Sequence, residues 1–115
     1  MPLNNLRNKY KEEMGLDSIG NFSEGRAVVK RDGQEWHIKE DGTDLSGERY
    51  DMVGPFSEGR AWVVRDKQVW FIKADGTNLS SERYDWVGFF SEGRALVYRD
   101  GQWWLVDING NRIEK

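Results

Sequence analysis

Apolar and polar residues alternate along pairs of short runs. Across 27–31 and 34–39, one set of alternate positions holds Ala27, Val29, Trp36 and Ile38. The other holds Val28, Lys30, Glu35 and His37. A period of two predicts strands whose side chains divide between two faces. Asp32-Gly33, between the runs, predicts a two-residue hairpin turn, because both turn positions need positive φ. The pattern returns with Asp66-Lys67, a poorer turn, and with Asp100-Gly101.

The recurrence is a repeat. Phe-Ser-Glu-Gly-Arg-Ala occurs at 22–27, 56–61 and 90–95, a constant step of 34 residues. Such a period marks a repeat architecture. The repeats run 22–55, 56–89 and 90–115. Residues 16–21 match the Tyr-Asp segments at 50–55 and 84–89, so they form the tail of a worn repeat. A short third strand is expected at Tyr50–Gly54 and at Tyr84–Gly88. The chain starts with the piece its last repeat lacks, which fits a ring closed by its termini or a cut from a longer array.

Repeats one and two agree at 24 of 34 positions, close enough to test the register internally. The turn opposes Arg31 to Gln34, Lys30 to Glu35, Val29 to Trp36 and Val28 to His37. The Lys30–Glu35 pair becomes Val64–Val69 and then Tyr98–Trp103. Partners change character together, as opposed side chains in a sheet do. One face is nearly constant: Ala27, Val29, Trp36 and Ile38, then Ala61, Val63, Trp70 and Ile72, then Ala95, Val97, Trp104 and Val106. It is the predicted core. The other face turns from mixed to apolar, ending in Trp62, Val64, Val69 and Phe71 and in Leu96, Tyr98, Trp103 and Leu105. It is either sandwiched between neighbouring repeats or an exposed aromatic patch for a partner.

Ahead of the repeats, Leu3, Leu6, Tyr10 and Met14 share one helical face. A helix over Leu3–Met14 is expected, capped by Asn4 or Asn5 and ended by Gly15. Residues 1–15 then cover an end of the 16–115 repeat domain, or form a linker. The expected fold is all-β: three 34-residue antiparallel β-hairpin repeats, in an open stack or a partial barrel, with a short N-terminal helix.

Composition narrows the function. Of 115 residues, 13% are aromatic, including six Trp, which predicts a core of rings. There is no Cys, hence no disulfide frame and no thiol chemistry. A net charge of −3 with both signs interspersed argues against nucleic acid. No apolar run approaches the ~20 residues of a membrane span, and residues 1–14 lack a signal-peptide core. The expectation is no nucleic acid, no membrane and a cytoplasmic location.

Tyr-Asp-x-Val-Gly-x-Phe-Ser-Glu-Gly-Arg-Ala, followed by Asp-Gly, an aromatic hairpin arm and a second Gly, resembles the bacterial WG-repeat (KWG) family over residues 16–113. The family's Trp-Gly pair falls on Glu35-Trp36, Val69-Trp70 and Trp103-Trp104. Its Gly is therefore Trp throughout and its Trp survives only at Trp103, which marks a divergent branch. The resemblance implies β-hairpin repeats of a kind found in proteins usually lacking an assigned activity and often regarded as interaction modules, and it supplies no catalytic residues. A second resemblance competes: Gln34-x-Trp36, Gln68-x-Trp70 and Gln102-x-Trp104 look like the Gln-x-Trp motif of ricin-type β-trefoil lectins.

Chemistry is sparse. Glu24, Glu58 and Glu92, Arg26, Arg60 and Arg94, and Asp17, Asp51 and Asp85 recur in register. Such recurrence points to acids satisfying backbone N–H groups and arginines bridging repeats, whereas an active site needs an asymmetric set. His37 is the sole His and has no metal-ligating companion. Asp41-Gly42-Thr43 and Asp75-Gly76-Thr77 lack the alternating acids of a calcium loop and read as turns. No catalytic residue, metal site or cofactor is expected. Two functions remain. One is a non-enzymatic interaction or assembly module that uses Trp62, Phe71, Tyr98 and Trp103 to bind a protein partner or a second copy. The other is a carbohydrate-binding protein with sites near Trp36, Trp70 and Trp104.

Overall fold

The Asp-Gly turns close the hairpins that the alternation predicts. In the computed structural model, which describes residues 3–113 and the side chains of residues 5–113, β2 (Arg26–Arg31) pairs with β3 (Gln34–Lys39). β5 (Arg60–Arg65) pairs with β6 (Gln68–Lys73), and β8 (Arg94–Arg99) with β9 (Gln102–Asp107). The register is the expected one in all three, from Arg31 opposite Gln34 to Tyr98 opposite Trp103. Asp32 and Gly33 take φ of 54° and 80°, the left-handed pair that such a turn demands. Each turn is pinned by an acid fifteen residues upstream: Asp17, Asp51 and Asp85 each accept from the first turn N–H at 3.0 Å.

Lys67 is forced to φ 67° where its counterparts are Gly. Lys67→Gly is therefore expected to stabilise the fold by about 0.5–1 kcal/mol, seen as a higher urea midpoint at unchanged slope.

A two-residue strand completes each sheet: β1 (Ser18–Ile19), β4 (Met52–Val53) and β7 (Trp86–Val87) pair with β2, β5 and β8. The result is three separate three-stranded antiparallel sheets. The Tyr-Asp segments at 50 and 84 pair on both sides. Tyr50 exchanges both backbone hydrogen bonds with Glu35 of the preceding hairpin, while Met52 and Val53 pair with the following one. Tyr84 does the same with Val69. This two-sided pairing links one sheet to the next, and the segment 16–21 supplies β1, the first strand of the first sheet.

The sheets do not close into a barrel. They stack along one direction in a body of 48 × 27 × 17 Å. The open stack holds; the partial barrel, the closed ring and the trefoil do not.

Three cores lie between the layers, each built by the same rule. The constant face of a hairpin packs with the Tyr, Val and Phe of its own unit and with the variable face of the hairpin before. In the middle core, Ala61, Val63, Trp70 and Ile72 meet Tyr50, Val53 and Phe56, with Val28 of hairpin one against them. In the next, Ala95, Val97 and Val106 meet Tyr84, Val87 and Phe90, with Trp62, Val64, Val69 and Phe71 of hairpin two.

On the first core the covering element is α1 (Leu3–Glu13), through Leu6 and Tyr10, joined by Met14 just beyond it. Asn4 and Asn5 lie inside the helix, so neither caps it. Gly15, at φ 64°, ends it: its N–H bonds Glu12 O while that of Leu16 bonds Lys11 O. Arg7 ties the helix to the Ile19 and Gly20 carbonyls. The Leu3 part of the expected face lies outside the described side chains.

Candidate interaction surface

The stacking rule decides where each predicted site residue ends up. Phe71 is buried, 3% exposed, with its ring edge-on to Phe90 at 4.7 Å. Trp62 is half-buried against the same core. Both pack between hairpins two and three, Phe71 wholly and Trp62 with part of its surface left in solvent. Hairpin three carries the equivalent face, and among the described residues no further unit covers it. Trp103 is 55% exposed and Leu96 38%. Tyr98 and Leu105 are partly buried beside them.

Trp103 meets Tyr98 at a tilt, 4.5 Å between ring centres, and Trp86 edge-on at 5.5 Å, so the apolar surface continues onto the short strand β7. An open depression of about 620 Å³ runs between Arg94, Leu96, Trp103 and Ile113.

The Gln-x-Trp tryptophans sit elsewhere. Trp36 and Trp70 are buried, and their indole N–H groups donate to Asp44 and Asn78. Arg49 lies 3.8 Å from the ring centre of Trp36, and Arg83 lies 4.0 Å from that of Trp70. The ring face a sugar would stack on is already taken by a guanidinium. Trp104 is half-buried, with Arg99 and Arg112 over it. Trp36, Trp70 and Trp104 therefore form no set of open sugar platforms.

The recurring charged residues make the seam between repeats. Glu24 accepts from the N–H groups of Glu58 and Gly59 at 2.6 and 2.7 Å, and Glu58 does the same for Glu92 and Gly93. Arg26 and Arg60 reach forward to Ala74 O and Ile108 O. Asp41 and Asp75 accept from the hydroxyl and N–H of the Thr two residues on, which holds both carboxyls below their ordinary range and makes these segments turns.

His37, on the variable face of hairpin one, is buried with its ring edge-on to Phe56 at 4.8 Å, and Nε2–H donates to Gly54 O at 2.7 Å. Burial lowers its pKa to about 4, with the Gly54 bond opposing and Arg26 adding to the fall.

Sequence reasoning did not single out the ends of the seam as distinct from its middle. Ser91, Glu92, Arg94 and Ile113 are the third copies of residues whose earlier copies bond or pack forward onto the next unit. The signal was present: each repeats at a step of 34, and among the described residues the third copy is followed by no fourth.

The profile of the WG containing repeat matches residues 13–34, 49–68 and 71–103, more than half of the chain. The chain belongs to the WG-repeat family. No curated protein and no solved structure matches it. In this WG-repeat chain Trp103 is the most exposed tryptophan on the uncovered end of the array.

Proposed function

We propose that this WG-repeat chain is a non-enzymatic interaction or assembly module that works through the C-terminal end of its array. The observation that carries the reading is the unequal treatment of three equivalent faces. The first and second are each covered by the Tyr, Val and Phe of the next unit. The third leaves Leu96 and Trp103 in solvent, with Trp86, 49% exposed, beside them. A contiguous apolar patch of this kind marks a site of association, and an aromatic cluster is the usual anchor of one.

Trp103→Ser tests it. The substitution removes an exposed ring, so stability should change by less than about 1 kcal/mol. Immobilised wild-type and Trp103→Ser chains would be presented with cell extract and with the free chain. Whatever the wild type retains should be lost by the variant. Equal retention by both would overturn the reading. Trp62→Ser is unsuited to the purpose, because that ring packs between hairpins and its loss weakens the fold itself.

A further inference from the structure

The two ends of the array are complementary. Inside it, each repeat makes the same contacts with the next. Ser23 and Ser57 donate to Phe56 O and Phe90 O, both at 2.8 Å. Glu24 and Glu58 each fill a pair of backbone N–H groups one period on. Arg26 and Arg60 cross the rings of Phe56 and Phe90 to reach Ala74 O and Ile108 O. Leu45 and Leu79 lie against Gly76 and Gly110, 3.2 and 3.3 Å from where a Cβ would stand.

At the C-terminal end the third copies are unspent. Among the described residues the Ser91 hydroxyl, the Glu92 carboxylate and the Arg94 guanidinium have no partner, and Ile113 is exposed. At the N-terminal end the matching receptors stand open or are held by a substitute. No described residue accepts from the N–H groups of Glu24 and Gly25 or donates to Phe22 O. Glu40 O, the counterpart of Ala74 O and Ile108 O, takes the Tyr10 hydroxyl at 2.7 Å. Gly42, the counterpart of Gly76 and Gly110, takes the Tyr10 ring. Tyr10 of α1 thus takes, at the first unit, the places that the arginine and the leucine of the preceding repeat take inside the array.

We propose that a second copy of this chain docks head to tail, its hairpin-three end displacing α1 from the first unit. This rests on the reading of the C-terminal end as an interaction surface and names its occupant. Glu92 enters the Glu24–Gly25 nest, Ser91 meets Phe22 O, and Arg94 and Ile113 replace Tyr10 at Glu40 O and Gly42. Leu96, Tyr98, Trp103 and Leu105 then cover Leu16, Ile19 and Phe22, as the earlier hairpins cover their neighbours. Such a contact is heterologous and adds one repeat step each time, so it extends as an open chain rather than closing on itself. Its strength is set by α1, which competes for the same site. Glu40 opposes it as well: its carboxylate lies beside Gly25, 3.9 Å from where a Cβ would stand, where repeat two has Ala74.

The test is sedimentation of the chain across a concentration series. Tyr10→Ala and Glu40→Ala should each strengthen self-association by about tenfold or more. Arg7→Ala loosens the helix from outside the core and carries the same expectation if Tyr10→Ala does not fold. Adding Glu92→Ala or Trp103→Ser to any of them should return the monomer. A benzophenone side chain at position 103 should crosslink to residues 16–42 of another copy. Crosslinking to hairpin three of another copy, with indifference to Glu40→Ala, would mean a two-fold dimer and overturn the proposal. A monomer throughout, Tyr10→Ala and Glu40→Ala included, would also overturn it. That monomer would leave the end face to a different protein, whereas the interaction reading itself fails only if Trp103→Ser changes no binding at all.

Discussion

Acidifying from pH 7 to pH 4 is expected to cost the fold about 3 kcal/mol through His37 alone. In the folded chain the imidazole is held neutral by burial, its pKa lowered from 6.5 to about 4. The unfolded chain takes up the proton near 6.5. Between the two values the unfolded state binds more protons, so stability falls as pH falls. The contribution is fully present above about pH 6.5 and is lost on the way down to about 4. Carboxylates titrate over part of the same range, so the comparison that isolates His37 is with His37→Phe. Phenylalanine is what hairpin two carries there, as Phe71, edge-on to Phe90 just as His37 is to Phe56. Urea midpoints of the two proteins should diverge steadily below pH 6.5, the variant keeping what the wild type loses. His37 is the sole histidine, so its ring proton resonance also reports its pKa directly. A midpoint near 6.5, or parallel losses in both proteins, would refute the assignment.

The position of His37 also shows where sequence reading stopped. The register of the hairpins was legible because turn chemistry and a period of two act locally: Asp-Gly sets the turn, and the turn sets every opposed pair. Which face of a hairpin lies against a neighbour is not local information. Lys30, Glu35 and His37 make the variable face of hairpin one mixed, and a mixed face does not say what lies against it. In fact Glu35 accepts from Val53 N–H at 3.0 Å and His37 donates to Gly54 O, so two of those polar groups serve the backbone of the next unit. The same limit applied to Trp62 and Phe71. Their hydrophobicity was plain, but a stacking neighbour and an absent one produce the same alternation. The shared pairing of the Tyr-Asp segments was hidden for a related reason. A repeat of 34 residues has a period but no starting point, and a two-residue strand is too short to declare its partners.

The seam tied recognition to architecture. Glu24 and Glu58 each sit at a φ of 52°, a backbone conformation that costs energy for a residue with a side chain. Each turns its N–H, and that of the glycine after it, outward as a pair of donors. The carboxylate of one repeat therefore finds the donors of the next at a fixed step. Repetition makes the joint self-consistent along the array, and among the described residues it leaves one carboxylate and one donor pair over at opposite ends.

The largest single effect is expected at Phe90, set against the residue beside it. Phe90→Ala should destabilise by about 3–5 kcal/mol, while Phe89→Ala should stay within about 0.5 kcal/mol. The two rings are adjacent and identical in chemistry. Phe90 is 1% exposed in the core between hairpins two and three; Phe89 is 66% exposed. Truncating Phe90 opens a cavity against Phe71, Val87 and Val97, where the layers on either side are held apart by their own hydrogen-bonded strands and cannot collapse to fill it. The contacts of a repeat array run only between neighbours, so the damage is local at first. Hairpin three and β7 should lose amide protection ahead of hairpin one, which α1 and the middle core still hold. Hydrogen exchange on Phe90→Ala would show the order. Uniform loss of protection from α1 to β9 would mean that the array melts as one cooperative body. A cost below about 1 kcal/mol would mean that the inter-repeat core is not where the stability resides.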